Sequence, residues 1–509
     1  MSYLLGTDIG TTGTKTVMVD LNGKLKANSY FEYDVLNPRQ GWAEQWPRIW
    51  VNAVYSTIKD CVEKSGIAPE EVYGIAISSL YGGSGIPVDR KFEVIRPCII
   101  WADRRATKEC KWVEEKIGTD SLFDVTGNVI DPYYGYTKML WIRENEPDHW
   151  EKIHRFETPN AHVIRLLTGV ENIDYSSAGN YGGIFDIHQK DWSSEMMEEL
   201  GIPRKFFPEK IISSEEVVGE VTGEGSERTG LEKGTPICAG GIDAAVSALA
   251  GGAIEDGDLA SMLGTSMCNG FISHKARLSQ RLVNFPYVVQ GREYLYGFTG
   301  ISTAGYTVRW FRDQLEVPEK LRNEYPEKDS YMVLDELASE VEVGSDNLIF
   351  LPHMMVGERA PYWDEHLRGG FIGLTVSHTK AHLFRSVLEG VAYAMKYSIE
   401  AAKDTGIMIN RATLVDGGAR SPLWRQIIAD VTGVKMDYIP GAQGAPLGDA
   451  ILAGLGTGLL KDYRVIEEWL GEKVPMKPKN TMEYQKYYGL YVSCLEAIKP
   501  LFKQFSQYE

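Results

Sequence analysis

Leu4-Leu5-Gly6-Thr7-Asp8-Ile9-Gly10-Thr11-Thr12-Gly13-Thr14-Lys15-Thr16-Val17-Met18-Val19-Asp20 reads as strand, tight turn, strand. Leu4 and Leu5 lead in, and the alternation of Lys15, Val17 and Val19 leads out. Gly10 and Gly13 allow positive φ at the turn. The Thr hydroxyls and unpaired N–H groups of such a turn form a concave anion site, suited to a nucleotide phosphate. Asp8 would repel a phosphate directly, but it suits a Mg²⁺ ion lying between them and held through water. The same stretch taken alone is also an ordinary β-hairpin with a solvated Asp. It is not a Walker A loop, which needs Gly directly before the Lys where Thr14 stands. Nor is it a dinucleotide fingerprint, because the turn enters a strand and not a helix.

A chain of 509 residues is long enough for two or more domains around separate cores. A net charge of −17 argues against nucleic acid or an anionic membrane as the main partner. It leaves a nucleotide substrate open, since a few local N–H groups and one Mg²⁺ decide that affinity. No basic and apolar leader precedes the first strand, and the apolar stretch at 244–253 is too short to span a bilayer. Cys61, Cys98, Cys110, Cys238, Cys268 and Cys494 form no CxxC pair, as expected of reduced thiols in a cytoplasmic protein.

Further along, 47–65 has Trp50, Ala53, Val54, Ile58 and Val62 on one helical face. An apolar run at 72–77 then enters the loop Ser78-Ser79-Leu80-Tyr81-Gly82-Gly83-Ser84-Gly85, where an α/β fold puts substrate contacts. A short strand ends in Trp101-Ala102-Asp103-Arg104-Arg105. The Trp face can stack on a sugar and the carboxylate can accept hydroxyl hydrogen bonds; a core Trp beside a salt bridge is the other reading. The region 213–233 is acidic and Gly-rich and reads as a surface loop. At Ala239-Gly240-Gly241-Ile242-Asp243 a buried strand gives way to an Ala-rich helix, with Asp243 at its start either as a cap or as a functional carboxylate.

The stretch 258–271, with Leu263-Gly264-Thr265-Ser266-Met267 at its turn, repeats the opening strand–turn–strand pattern. Two such hairpins suggest an internal duplication with a nucleotide between two lobes. Gly300 to Gly305 then leads into a helix through Trp310, and a strand at 411–415 ends in Asp416-Gly417-Gly418-Ala419-Arg420. A Gly-Gly turn there lets backbone approach a flat ligand. Last, Gly444-Ala445-Pro446-Leu447-Gly448-Asp449-Ala450 starts a helix of small residues suited to close crossings.

In this order, these pieces resemble the FGGY carbohydrate kinase family, most closely its xylulokinase-like branch. The motifs are 8–15, Trp101-Ala102-Asp103-Arg104, Gly127-Asn128 with Lys138 and Trp141, Gly240 to Asp243, Gly264-Thr265-Ser266, Gly357-Glu358-Arg359-Ala360-Pro361, and Gly417 to Arg420 with Gln426, Ala429 and Asp430. The resemblance covers nearly the whole chain. It implies an α/β fold of two ribonuclease-H-like lobes, of the actin/hexokinase/Hsp70 type, with a cleft between them. The lobes would be 1–252, with the sugar site, first phosphate loop and catalytic Asp, and 253–509, with the second phosphate loop and adenosine site.

By the same resemblance, Asp8 organises Mg²⁺ and Asp243 is the catalytic base. Thr11, Thr12, Gly13 and Lys15 belong to the first phosphate loop and Gly264, Thr265 and Ser266 to the second. Gly305, Arg309, Gly417, Gly418 and Ala419 hold ATP, and Tyr81, Gly82, Gly83, Trp101, Asp103 and Asp243 meet the sugar. The implied reaction is ATP-dependent phosphorylation of a primary hydroxyl of a ketose, a pentulose in the first place, or of a polyol. A homodimer is compatible with the family.

There are two departures. Where the family's xylulokinases carry Gln-Met-His-Gly, this chain has Tyr81-Gly82-Gly83-Ser84, so the sugar is left open. Gly135 stands where the motif around Lys138 has Pro, Ser or Thr. The rival readings are a non-enzymatic actin- or Hsp70-like nucleotide-binding protein and a catalytically silent sugar-binding regulator.

Overall fold

β1 (Tyr3–Ile9) and β2 (Gly13–Asp20) form the expected hairpin, with Asp8 opposite Lys15 and Ile9 opposite Thr14. The computed structural model describes residues 2–274, 277–315 and 329–505. One expectation is corrected at the turn: neither Gly10 nor Gly13 takes positive φ. The Tyr30 ring, exposed to solvent, lies over Gly13 instead: a Cβ there would lie 2.3 Å from its hydroxyl and would push the ring aside.

The hairpin continues into β3 (Leu25–Glu32), and α1 (Pro47–Ser65) follows. Trp50, Ala53, Val54 and Ile58 of α1 are buried in one core with Leu5, Ile9 and Met18. β4 (Val72–Ser79) lies parallel to β1 and places Ser78 beside Asp8. Buried on both faces, β4 reads as the near-continuous apolar run of a parallel strand. α2 (Tyr175–Asn180) comes next. The region 213–233 is more ordered than a loop. It holds β5 (Val217–Glu220) and a helical stretch Gly223–Thr229, whose N-terminus Thr222 caps by accepting the Gly225 N–H at 3.1 Å. Acidic, Gly-rich composition hid a strand that pairs on one side only. β6 (Pro236–Cys238) and α3 (Asp243–Ala250) complete this part, and the sheet order is β5-β6-β4-β1-β2-β3.

The second sheet repeats the plan. β7 (Asp258–Leu263) and β8 (Met267–His274) form another hairpin, and β9 (Tyr294–Ile301) leads to α4 (Gly305–Gln314). β10 (Ile349–Leu351) pairs with β11 (Gly370–Ile372) outside the sheet. α5 (Lys380–Lys403) precedes β12 (Arg411–Val415), which runs parallel to β7, and α6 (Pro422–Thr432) precedes β13 (Met436–Tyr438). α7 (Ala445–Gly456) and β14 (Val474–Met476) follow. The second sheet has seven strands, with an extra edge strand, Val283–Pro286, paired with β9. Beyond it, the order β9-β8-β7-β12-β13-β14 corresponds to β3-β2-β1-β4-β6-β5 of the first sheet, and in each the strand at the β14 or β5 edge is antiparallel to its neighbour. This is the duplication expected from the two hairpins.

By contacts, the first compact unit takes Met1–Asp256, Ile272–Gly297 and Gln443–Gly471; the second takes Gly257–Phe271, Phe298–Ala442 and Glu472–Glu509. The division is therefore interleaved where sequence reading drew one boundary. α7 belongs to the first unit because two glycines let it press inward. A Cβ on Gly6 of β1 would lie 1.8 Å from the Pro446 carbonyl oxygen, and one on Gly448 would lie 2.4 Å from that of Val246. Among the described residues, no helix is long and apolar enough to cross a membrane.

Candidate active site

In the first unit, the turn between β1 and β2 is held from three sides. Gly10 N–H donates to Gly13 O at 2.9 Å and closes it. The Tyr33 hydroxyl donates to Gly10 O at 2.8 Å, and Gln45 Nε2 donates to Thr11 O at 2.9 Å. Trp101 Nε1 donates to Thr11 Oγ1 at 3.0 Å, so a residue expected at the sugar is tied to the phosphate-type turn. Thr12 is exposed at its tip. Lys15 Nζ donates to Gln443 O at 3.0 Å and to its side-chain oxygen at 3.3 Å.

Asp8 stands at the end of β1, half-buried. Burial first, and the Asp243 charge second, hold its carboxyl well above the usual carboxylate range, against the opposing pull of Ser78 and Lys15. Ser78 Oγ lies 3.2 Å from Asp8 Oδ1 and 2.6 Å from Oδ2 of Asp449, a fully buried residue of α7. Asp449 escaped the sequence reading. Its signal is a single charge within Ala445–Gly456, a segment otherwise of small and apolar residues.

Asp243 is the first residue of α3 and is half-buried; its Oδ1 accepts the Ala244 N–H at 2.6 Å. Two glycines bring it there. Gly240 takes φ 65°, and a Cβ on it would lie 2.0 Å from Ile77 O. A Cβ on Gly241 would lie 2.7 Å from Ser176 Oγ. Ser176 Oγ in turn accepts the Ile242 N–H at 3.0 Å and is bonded to Asp174, the cap of α2. Asp243 is thus aimed by a buried Asp174–Ser176 strut.

The residues expected around the sugar divide into two groups. Trp101 is half-buried and reaches the turn as described. Tyr81, Gly82 and Gly83 form a packed wall: the Tyr81 hydroxyl accepts the Gly135 N–H, and a Cβ on Gly83 would lie 2.1 Å from Ile99 O. Gly135 thus meets Tyr81 directly, and the two departures from the family pattern are one contact. Asp103 is completely buried and its oxygens are engaged. It accepts Ala43 N–H at 2.6 Å, Arg105 N–H at 2.9 Å and the Arg105 Nη2 at 2.7 Å. It anchors the wall from behind. Lys138 is buried too, with Nζ bonded to the Pro132 and Tyr133 carbonyls, and burial pushes it down to about 8.

In the second unit, the β7–β8 turn is tied to the start of α4. Ala304 and Tyr306 N–H donate to Thr265 O at 2.9 and 3.0 Å, and Gly305 N–H to Gly264 O at 3.0 Å. Gly305 has no room for a Cβ, which would lie 2.4 Å from Gly264 O. Gly418 packs equally closely on Leu263. A cavity of 870 Å³ opens beside these residues. Gly264, Thr265, Gly305, Arg309, Gly417 and Gly418 line it, with Phe384, Leu388 and Trp424 supplying apolar surface. Ser266 and Ala419, also expected at ATP, are not in its lining, and Ala419 is fully buried. The strap 302–305 is held by Glu358: both its oxygens lie 3.1 Å from Ser302 N, and His353 Nδ1 lies 3.2 Å away.

Two α/β units of matching strand order, each with a Gly-Thr hairpin turn, make up the architecture of the actin/hexokinase class. The chain belongs to the FGGY family of carbohydrate kinases, whose N-terminal domain model matches residues 3–250 and whose C-terminal domain model matches 259–457. It is 29% identical to a xylulose kinase of Bacillus subtilis (strain 168), over 98% of each chain. It is 28% identical to a gluconokinase of the same organism, over 100% of this chain and 98% of that one. The crystal structure of xylulose kinase from Rhodospirillum rubrum superposes with a TM-score of 0.86 at 27% identity, covering 98% of this chain and 100% of that one.

Proposed function

We propose that this carbohydrate kinase transfers the γ-phosphoryl group of ATP to a primary hydroxyl of an open-chain sugar, a pentulose in the first place, with Asp243 as general base. The observation that carries the reading is the placement of Asp243. Its carboxylate is accessible, fixed by its own helix N-terminus and adjacent to Asp8. A sugar hydroxyl is a poor nucleophile, and a positioned carboxylate that accepts its proton as it attacks phosphorus meets that need. Trp101 offers an apolar face to the sugar, while Asp103 contributes by holding the wall.

The phosphate contacts are assigned to the two Gly-Thr turns: Thr11, Thr12, Gly13 and Lys15 in the first unit, and Gly264, Thr265 and Ser266 in the second. The 870 Å³ cavity is of a size and polarity that suit the nucleoside, with Gly305, Arg309, Gly417, Gly418 and Ala419 at its border or just behind it. The donor set at Asp8, a carboxylate next to hydroxyls and backbone N–H groups, fits a Mg²⁺ held through water. When bound, that ion neutralises charge on the phosphates.

A gluconate acceptor is the second reading, favoured by the near-equal identity to the gluconokinase and the xylulose kinase. Both acceptors present a primary hydroxyl on a linear carbon chain. The test is coupled ADP release with Mg-ATP against ketopentoses, gluconate, aldoses, glycerol and a blank without acceptor. Turnover far above the blank with one acceptor class establishes the kinase and names that class. Rates equal to the blank throughout would remove the assignment for that panel and favour the non-enzymatic readings.

A further inference from the structure

Asp449 is the single charged residue of α7, and nothing in the packing of that helix calls for a carboxylate. At Gly6 and Gly448 the helix is pressed onto β1 and α3 backbone to backbone, with no space for a Cβ at either glycine, and its other buried side chains are apolar. Yet Asp449 is 0% exposed, and its Oδ1 has no hydrogen-bond partner. A buried polar atom left unsatisfied costs stability, so the arrangement needs a reason other than folding. Its other oxygen, Oδ2, supplies one. It lies 2.6 Å from Ser78 Oγ, which lies 3.2 Å from Asp8 Oδ1. Three side chains from β1, β4 and α7 thus form one line that ends on Asp8.

We propose that Asp449 is a positioning residue: through Ser78 it fixes the carboxylate of Asp8 in the orientation that serves Mg-ATP. This rests on the reading of Asp8 given above. Two contacts along the line need two hydrogens, and the Ser78 hydroxyl has one. The second sits on Asp449, so that Asp449 Oδ2–H donates to Ser78 Oγ, and the Ser78 hydroxyl donates to Asp8. In this order Asp8 accepts a hydrogen bond from Ser78, and the unpartnered Oδ1 belongs to a neutral acid rather than to a buried anion. Burial, with the nearby Asp8 charge adding to it, holds the Asp449 carboxyl well above the usual carboxylate range, in keeping with that order. The line therefore needs a neutral donor at position 449, not a negative charge.

The test uses the full chain with Asp449→Asn, Asp449→Ala, Ser78→Ala and Asp8→Asn. ATP binding is measured by calorimetry with and without Mg²⁺, in the absence of any sugar, beside thermal melts. An Asn amide can donate to Ser78 as the acid does, so Asp449→Asn should bind Mg-ATP close to wild type. Asp449→Ala and Ser78→Ala should each weaken Mg-ATP binding by about tenfold, the size of effect usual when a metal's outer partners are removed. Neither should change the binding of metal-free ATP, and the double variant should lose no more than either alone. Ser78→Ala leaves α7 untouched and serves if Asp449→Ala does not fold. The proposal is overturned if Asp449→Asn is as impaired as Asp449→Ala, or if Ser78→Ala leaves Mg-ATP binding unchanged. Unaltered Mg-ATP binding by Asp8→Asn would instead overturn the reading of Asp8 itself.

Discussion

Gly6 and Pro446 touch through bare backbone: a Cβ on the glycine would lie 1.8 Å from the proline's carbonyl oxygen. This contact seats the N-terminal turn of α7 on β1, next to the strand end that carries Asp8. Gly6→Ala should destabilise the protein by about 1–3 kcal/mol, the usual penalty for overpacking, and more if α7 is displaced. Chemical denaturation of the variant measures the loss. A stability equal to wild type would mean that α7 is not pressed on β1 as described.

Asp243→Ala should reduce turnover by about 10²- to 10⁴-fold, the usual contribution of a positioned base. ATP binding should stay near wild type, because the cavity assigned to the nucleoside lies in the other unit and does not include Asp243. Steady-state ADP release and nucleotide calorimetry separate the two. Near-normal turnover would remove the base assignment.

Glu358 is fully buried and holds the strap that closes on the β7–β8 turn. Its replacement by Ala leaves the Ser302 N–H and the His353 imidazole without this acceptor, a loss of about 1–3 kcal/mol. We expect a lower melting temperature and a raised KM for ATP, with the KM for the sugar unchanged. A raised sugar KM with an unchanged ATP KM would contradict the placement of the strap at the nucleotide.

Glu157 gives a pH-dependent test of the first unit. Burial by itself raises this carboxyl, but hydrogen bonds from His162 at 2.7 Å and from Arg165 outweigh it and hold the group below its ordinary value. A carboxyl depressed in the folded state stabilises the fold at every pH above its unfolded value, about 4.3, and loses that contribution as pH falls through the folded value. Glu157→Gln should therefore cost about 1–3 kcal/mol at pH 7. The gap to wild type should hold down to about pH 5 and narrow below about 4.3. Urea melts of both proteins across that range check the slope. A gap that widens on acidification would reverse the sign of the effect.

The parts of the fold that were legible in sequence are those written in nearest neighbours. The 3.6-residue spacing of Trp50, Val54 and Ile58 marked α1, and the two Gly-Thr turns marked both hairpins and hence the duplication. Residues whose meaning depends on distant partners were not legible. Asp103 looks like a sugar ligand until Ala43 and Arg105 are found on its oxygens. Gly10 and Gly13 look like residues chosen for a positive φ, yet neither takes one, and Tyr30 crosses over Gly13. Asp449 looked like part of a plain helix, since Ser78 is its partner only once β4 and α7 have met. Of the residues expected at ATP, Gly264, Thr265, Gly305, Arg309, Gly417 and Gly418 line one cavity, brought together from three separate segments.

The membership of α7 in the first unit has a consequence for the order in which this protein comes into being. On the ribosome β1 to β6 emerge first, but the helix that covers Gly6 and carries Asp449 is made only after β7 to β13. Domains made early generally fold as they emerge, but in this one the face of β1 that α7 covers has its cover only once residue 456 has been made. A nascent chain stalled short of that point exposes apolar sheet surface and lacks the far end of the Asp8 line.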